Sequence, residues 1–160
     1  MTILRRLARP MLASVFVVGG ADTLRNPEPR VQMAESVTPK LASALPIPDD
    51  TEQLVKINAG VQVAAGVLLA IGRFPRLSAA VLAGSLVPTT YAGHRFWEED
   101  EEMSKATQRI HFLKNLGLLG GLLLAVVDTG GAPSIGWRAR RAARRLQEVS
   151  SAAIDALPVG

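Results

Sequence analysis

The sequence predicts an all-α membrane protein, a bundle of four transmembrane helices with both termini in the cytoplasm. Two observations lead to this fold class. Four charge-free runs divide the first 128 residues, although hydrophobic residues make up an ordinary 48% of the chain. The basic residues are concentrated in alternate connections between these runs. The runs lack the polar face of a soluble amphipathic helix, so a soluble four-helix bundle is the less favoured alternative.

The four runs form the centres of the predicted spans. They are Pro10–Ala21, Ile57–Gly72, Leu77–Gly93 and Asn115–Val127. Because each is shorter than the roughly 20 residues that cross a bilayer, each span must include polar neighbours. The predicted spans are 7–24, 54–72, 76–93 and 108–127, within a transmembrane domain 1–128.

The first apolar stretch has two interpretations. Arg5, Arg6 and Arg9 precede an apolar core at Met11–Val18, and small residues follow, as in a cleaved signal peptide. We favour a retained first span, because its removal would leave three spans and disrupt the charge distribution described below.

The remaining elements follow from turn and capping signals. A long polar loop with five prolines covers Arg25–Gln53 and carries a predicted short helix at Val31–Ala44. The second helix is predicted from Glu52 to Ile71, with Thr51 at its N-cap. The later elements are a tight turn at Gly72–Arg76, a third helix at Arg76–Gly93 kinked at Pro88, and a fourth from near Ser104 to near Asp128.

The charges predict which ends of the spans face the cytoplasm. One side would carry ten of the 18 Lys and Arg and only three of the 14 acidic residues. The ten are Arg5, Arg6, Arg9, Arg73, Arg76, Arg138, Arg140, Arg141, Arg144 and Arg145. Because Lys and Arg concentrate on the cytoplasmic side, we expect the termini and the Gly72–Arg76 turn there. Residues 129–160 are predicted to form a basic amphipathic tail, which lies on the anionic inner leaflet or docks a protein.

With this topology, all four spans carry polar side chains in their outer halves. Asn58 and Gln62 share a helix face at i, i+4, and His111, Lys114 and Asn115 share one at i, i+3, i+4. Polar groups inside a membrane normally face protein or a water-filled cavity. The sequence therefore predicts a candidate outer ligand-binding pocket. Its residues are Asp22, Asn58, Gln62, Tyr91, His94, Trp97, His111, Lys114 and Asn115.

Two other interpretations of these polar residues stay open. They can simply reach the headgroups, with Lys114 extending to the interface and Tyr91 and Trp97 in an aromatic belt. They can also hold subunits together, with Asn58 and Asn115 as interhelical hydrogen-bonding groups. In the pocket interpretation, Lys114 or His94 binds an anion or a quinone carbonyl, and Asp22 is the counter-charge.

Composition limits the chemistry. The absence of cysteine excludes disulfides, thiol nucleophiles and iron–sulfur ligation by this chain. Two histidines do not suffice for a metal site, so none is expected. The acidic run Glu98–Glu102 is interpreted as a solvated loop. Gly117 and Gly121 form a GxxxG motif, which permits close contact between helices. No nucleic-acid partner is expected, because the membrane topology accounts for the basic residues.

Four segments resemble a known family. They are RPMLASVFVVGGADTL at Arg9–Leu24, NAGVQVAAGVLLAIGRFPRLSA at Asn58–Ala79, HRFW at His94–Trp97 and FLKNLGLLGGLLL at Phe112–Leu124, the last two being the most specific. From about Arg6 to Val127 the chain resembles the DoxX family of small four-helix bacterial integral membrane proteins, in its actinobacterial type.

The resemblance implies a multi-pass protein of the bacterial plasma membrane with a redox association. Relatives form the membrane part of a thiosulfate:quinone oxidoreductase, or are linked to oxidative-stress complexes with sulfurtransferase and superoxide dismutase partners. The leading hypothesis is a non-catalytic accessory subunit without intrinsic cofactor, which contacts membrane lipid and proteins of a redox complex and holds a quinone or lipid. The alternatives are a quinone-binding oxidoreductase component using His94, Lys114 and Asn115, and a small transporter or lipid-handling protein.

Overall fold

The computed structural model describes residues 2–39 and 50–128, together with residues 140, 141, 143, 144 and 147. The chain divides into two units, Met1–Val127 and Asp128–Gly160. Most of the predicted amphipathic tail, 129–160, lies outside the described residues. The described part of the first unit contains α1 (Thr2–Arg25), α2 (Glu28–Ala34), α3 (Thr51–Ala70), α4 (Pro75–Gly93), a 3-10 turn (Phe96–Glu98) and α5 (Glu102–Val127).

The long helices pack in a closed order. Helix α1 packs on α3, α3 on α4 and α4 on α5, while α5 makes a smaller contact back to α1. The core lies between them, and Leu69, Leu82 and Leu122 are its largest fully buried side chains. The described part of the chain is therefore an all-helical bundle, as the sequence predicts.

In the part of the chain that the structure describes, three helices are long and apolar enough to cross a membrane: Ile3–Arg25, Thr51–Ala70 and Glu102–Val127. Helix α4 has 19 residues but is not among them, because it carries Arg76 and several hydroxyl side chains. It is also the helix with the most buried residues, and buried positions face protein rather than lipid. The count of four spans and the cytoplasmic placement of both termini stay predictions.

Large apolar side chains cover the outside of α1 and α5. On α1 they are Ile3, Leu4, Leu7, Met11, Val15 and Val18, and on α5 they are Ile110, Leu113, Leu116, Leu123, Leu124 and Val127. Soluble monomers rarely expose contiguous apolar surface on this scale. These two helix surfaces are therefore suited to contact with lipid.

Helices α1 and α3 approach closely at two glycines. A methyl group at Gly20 would lie 2.8 Å from the carbonyl oxygen of Ala59, and one at Gly66 would lie 2.7 Å from Cγ2 of Val17. The predicted GxxxG does not have this role within the described part of the chain. A methyl group at Gly117 would meet nothing within 4 Å, and Gly121 faces a flexible side chain, Leu12.

Helix α3 begins and ends with recognisable caps. The carboxylate of Asp50 accepts hydrogen bonds from the backbone N–H groups of Glu52 at 2.9 Å and Gln53 at 3.1 Å. The N-cap is therefore Asp50, and the prediction of Thr51 is wrong by one residue. The Thr51 hydroxyl forms a hydrogen bond with the Thr38 hydroxyl at 2.7 Å and does not cap the helix. At the other end, Gly72 has φ of 74° and forms a Schellman motif, in which the Arg73 N–H donates to the Leu68 carbonyl.

The short helix of the first loop differs from its prediction at Val31–Ala44. Helix α2 covers Glu28–Ala34, and residues 40–44 lie outside the described part. The backbone N–H groups of a first helical turn have no acceptor within the helix, so a proline there costs no hydrogen bond. Pro29 is therefore compatible with the start of α2. Helix α2 packs on α3 and α4, and Ser36 just beyond it accepts a hydrogen bond from Arg95 at 2.9 Å.

Candidate functional site

The predicted site residues lie toward one end of the bundle, where α4 ends and α5 begins. We name this the distal end. They form two groups that differ in burial. One lies between helices and is closed by its own hydrogen bonds. The other is half-buried to exposed at the distal end and contains hydrogen-bonding groups and aromatic rings.

The closed group is centred on Ser85 of α4, whose residue is 9% exposed. The Ser85 hydroxyl donates to Oδ1 of Asn58 at 2.8 Å and accepts from Nε2 of Gln62 at 2.8 Å. Asn58 and Gln62 therefore share one helix face, as predicted, and that face meets α4. These bonds use the Ser85 hydroxyl as donor and as acceptor, and they join α3 to α4.

A second interhelical bond joins α4 to α5 nearer the distal end. Nδ2 of Asn115 donates to the hydroxyl of Thr90 at 3.0 Å, and both residues are half-buried. Thr89 does not take part, because its hydroxyl bonds to the carbonyls of Ser85 and Leu86 in its own helix. Asn115 is thus an interhelical hydrogen-bonding group, one of the roles that the sequence suggested for it.

The open group contains the two histidines. The rings of His94 and His111 stack with centroids 5.2 Å apart and planes inclined by 24°. Nδ1 of His94 lies 2.8 Å from Oε1 of Gln108, and Nδ1 of His111 lies 3.3 Å from Nζ of Lys114. We call these four residues the histidine group.

The partners determine which ring nitrogens carry protons. An amide oxygen accepts, so Nδ1 of His94 donates to Gln108. An ammonium group only donates, so Nδ1 of His111 accepts from Lys114, and the His111 proton is on Nε2. When both imidazoles are neutral, Nε2 of His111 donates and Nε2 of His94 accepts. The pair can therefore offer one donor and one acceptor from adjacent rings.

Aromatic residues adjacent in sequence to the two histidines form a cluster of their own. Phe96 contacts Trp97 and Phe112 edge to face, with centroids 5.2 and 5.5 Å apart. The centroid of the Trp97 ring also lies 6.1 Å from that of Tyr91 and 6.1 Å from that of Phe112. Trp97 and Tyr91 are 48% and 46% exposed, so their surfaces are accessible from outside the bundle. This cluster suits a planar ligand or a membrane interface equally.

Two predicted residues are less connected. Asp22, at the end of α1, is exposed and forms no side-chain hydrogen bond or ion pair with a described residue. Lys114 is also exposed and makes no ion pair with a described acid. No hydrogen bond or ion pair therefore joins Asp22 to another predicted residue in the described part of the chain.

Three polar residues that complete these groups are not among the predicted pocket residues: Ser85, Thr90 and Gln108. Gln108 could have been found, because Gln108, His111 and Asn115 follow helical spacing i, i+3, i+7. Ser85 and Thr90 carry weaker signals, since a hydroxyl in a helix more often bonds to its own backbone.

A surface cavity of about 190 Å³ adjoins the histidine group. Its lining residues are Glu99, Met103, Ser104, Thr107 and Gln108. Gln108 belongs to both, so the cavity and the histidine group are neighbours. In the described residues, no three His, Cys, Asp or Glu side chains are grouped so that they could hold a metal ion.

Comparison with known proteins gives one match. The family model described as DoxX matches residues 4–95, more than half of the chain. No curated protein and no solved structure matches. The matched part includes α1 to α4 and ends before α5, so it includes His94 but neither His111 nor Lys114.

Proposed function

The chain belongs to the DoxX family, and from this premise we propose that it is a multi-pass accessory subunit of a redox-associated complex in the plasma membrane. Its distal end would hold a quinone or a lipid. The observation that carries this proposal is the open histidine group beside exposed aromatic rings, at the end of a bundle with apolar outer surfaces.

The accessory role is supported by what the chain can and cannot do chemically. Without cysteine it cannot carry sulfur or electrons on a thiol. Its distal end offers hydrogen-bonding groups and aromatic surfaces, which bind and orient a molecule. We infer that redox chemistry belongs to partner proteins, and that this chain holds them at the membrane.

The ligand proposal rests on complementary chemistry. A quinone presents two carbonyl oxygens on a planar ring, and a carbonyl accepts hydrogen bonds from an ammonium or an imidazole N–H. Lys114 and Nε2 of His111 are such donors, and Trp97 and Tyr91 expose ring surfaces beside them. A hydroquinone would in addition donate to Nε2 of His94.

A second candidate function is a quinone-binding component of an oxidoreductase. It is favoured by the donor and acceptor nitrogens of the stacked His94 and His111 rings, because quinone reduction takes up protons. In that case the histidine pair would deliver or receive protons as well as bind.

Gentle extraction from native membrane tests the accessory role. We expect oxidoreductase subunits to co-purify in fixed stoichiometry, as measured by mass spectrometry of the extracted protein. A chain that is recovered without protein partners under several mild detergents would contradict the proposal.

Titration with a short-chain quinone tests the distal ligand site. His111→Ala and Lys114→Ala should each weaken binding about tenfold, the factor for one lost hydrogen bond of about 1.4 kcal/mol. Lys105→Ala is the matched control, because it removes a lysine of the same helix outside the histidine group, and it should bind as the wild type does. Unchanged affinity in both test variants would rule out this site.

A further inference from the structure

The turn between α3 and α4, at the opposite end of the bundle from the histidine group, has an unusual backbone. Phe74 adopts φ of 49° and ψ of 44°, which lie in the left-handed region. Among the residues that the structure describes, no other non-glycine residue has a positive φ. This conformation is unfavourable for a bulky side chain and persists where surrounding structure imposes it. The Phe74 side chain is 65% exposed.

Apolar and basic side chains alternate along this turn. Ile71 and Leu77 are exposed to 62% and 65%, much as Phe74 is. Arg73 and Arg76 stand between them in the sequence. Exposed apolar groups are unfavourable in water but are favourable at the boundary between headgroups and acyl chains. The composition of the turn therefore matches a membrane interface.

The two arginines are available to an anion. Arg76 donates from Nε to the carbonyl of Val126 at 2.6 Å, which leaves both terminal amino groups for another acceptor. Arg73 is exposed, and neither arginine makes an ion pair with an acid in residues 2–39 or 50–128. Arg9 brings a third guanidinium to the turn, since its Nη1 would lie 3.2 Å from a methyl group at Gly72.

We propose that this turn binds the phosphate of an anionic phospholipid through Arg73 and Arg76, while Ile71, Phe74 and Leu77 contact its acyl chains. Guanidinium groups bind phosphate oxygens in bidentate geometry. The bond from Arg76 to Val126 holds one guanidinium in place before the lipid arrives. The three apolar side chains select an amphiphile over a soluble phosphate. This site is separate from the proposed function and does not depend on it.

Titration of the full chain in neutral detergent with phosphatidylglycerol, read by native mass spectrometry, tests the proposal. Phosphatidylcholine is the comparison lipid. Arg73→Gln should weaken phosphatidylglycerol binding about fivefold, the factor for one basic side chain near an anionic headgroup. Arg30→Gln on α2 is the matched control, because it removes an exposed arginine at the distal end, and it should leave binding unchanged.

Phe74→Gly separates lipid binding from fold stability. Glycine adopts positive φ without strain, so this variant should unfold at the same or a higher temperature than the wild type in lipid-free detergent. It should nevertheless bind phosphatidylglycerol more weakly, because an apolar contact is lost.

Equal loss of binding in Arg73→Gln and Arg30→Gln would overturn the proposal. So would equal binding of the two lipids, or displacement of phosphatidylglycerol by millimolar inorganic phosphate.

Discussion

The polar side chains of this bundle form two sets, which differ in their hydrogen-bond partners and in their burial. The Ser85 hydroxyl both donates and accepts, so Asn58 and Gln62 are held between α3 and α4. At the distal end, His94 and His111 are half-buried and Lys114 is exposed, and the two Nδ1 atoms lie within hydrogen-bonding distance of Gln108 and Lys114. An interhelical hydrogen bond therefore explains the first set, and a binding role is proposed for the second.

The closed group predicts a measurable contribution to stability. Ser85→Ala removes two interhelical bonds and should lower the free energy of unfolding in detergent by about 1–2 kcal/mol, since such bonds contribute roughly 0.6 kcal/mol or more each. Ser14→Ala is the control, because the exposed Ser14 hydroxyl bonds to a carbonyl of its own helix, and we expect no comparable loss. Quinone binding at the distal end should be unaffected by Ser85→Ala. If quinone binding were lost while stability stayed unchanged, Ser85 would belong to a ligand site.

Among the helices, the contact between α1 and α3 depends on close backbone approach. Gly20 and Gly66 provide it, each at a position where a Cβ would meet the opposite helix. Gly72 and Phe74 then reverse the chain into α4, and the bond from Arg76 to Val126 joins the start of α4 to the end of α5. A cation at the C-terminal end of a helix is stabilised by the helix dipole.

Two adjacent glycines of α1 allow a direct test of this contact. Gly20→Ala should lower the free energy of unfolding by about 1–3 kcal/mol, because the Ala59 carbonyl that it meets is backbone and cannot move aside. Gly19→Ala meets nothing within 4 Å and should stabilise the protein by up to about 1 kcal/mol through helix propensity. Denaturant titration in detergent measures both. Equal effects of the two variants would mean that α1 does not approach α3 as described.

For the molecule as a whole, the two ends of the bundle differ in charge. Arg73 and Arg76 lie in the α3–α4 turn, whereas the acidic run Glu98–Glu102 lies at the distal end. Because Lys and Arg concentrate on the cytoplasmic side, we expect the turn in the cytoplasm and the histidine group outside.

The absence of native cysteine makes this topology simple to measure. Met103→Cys, an exposed position at the distal end, should react with a membrane-impermeant maleimide in intact cells. Ile71→Cys, exposed at the α3–α4 turn, should react only after permeabilisation. The reverse pattern of labelling would invert the topology, and would place the lipid site of the turn in the outer leaflet.

The family and the helical class were predictable because they depend on local sequence. Apolar runs without charge, the Gly72–Arg76 turn and the segments of α1 and α3 that resemble the family can be read without knowing which helices touch. Spacing at i, i+4 likewise placed Asn58 and Gln62 on one face. These features come from periodicity and composition, which a linear chain carries directly.

Tertiary structure decided which side chains meet. Nothing local to α3 indicates that Ser85 would bond to Asn58 and Gln62, and the prominent glycines of α5 are not those of the close helix contact. The stacking of His94 on His111 likewise required α4 and α5 side by side. Helix periodicity determines the face on which a side chain lies, whereas its partner depends on packing between segments distant in the chain. Composition and periodicity therefore predicted the helical class, the family and most of the polar residues of interest, whereas packing between distant segments decided which side chains form one group.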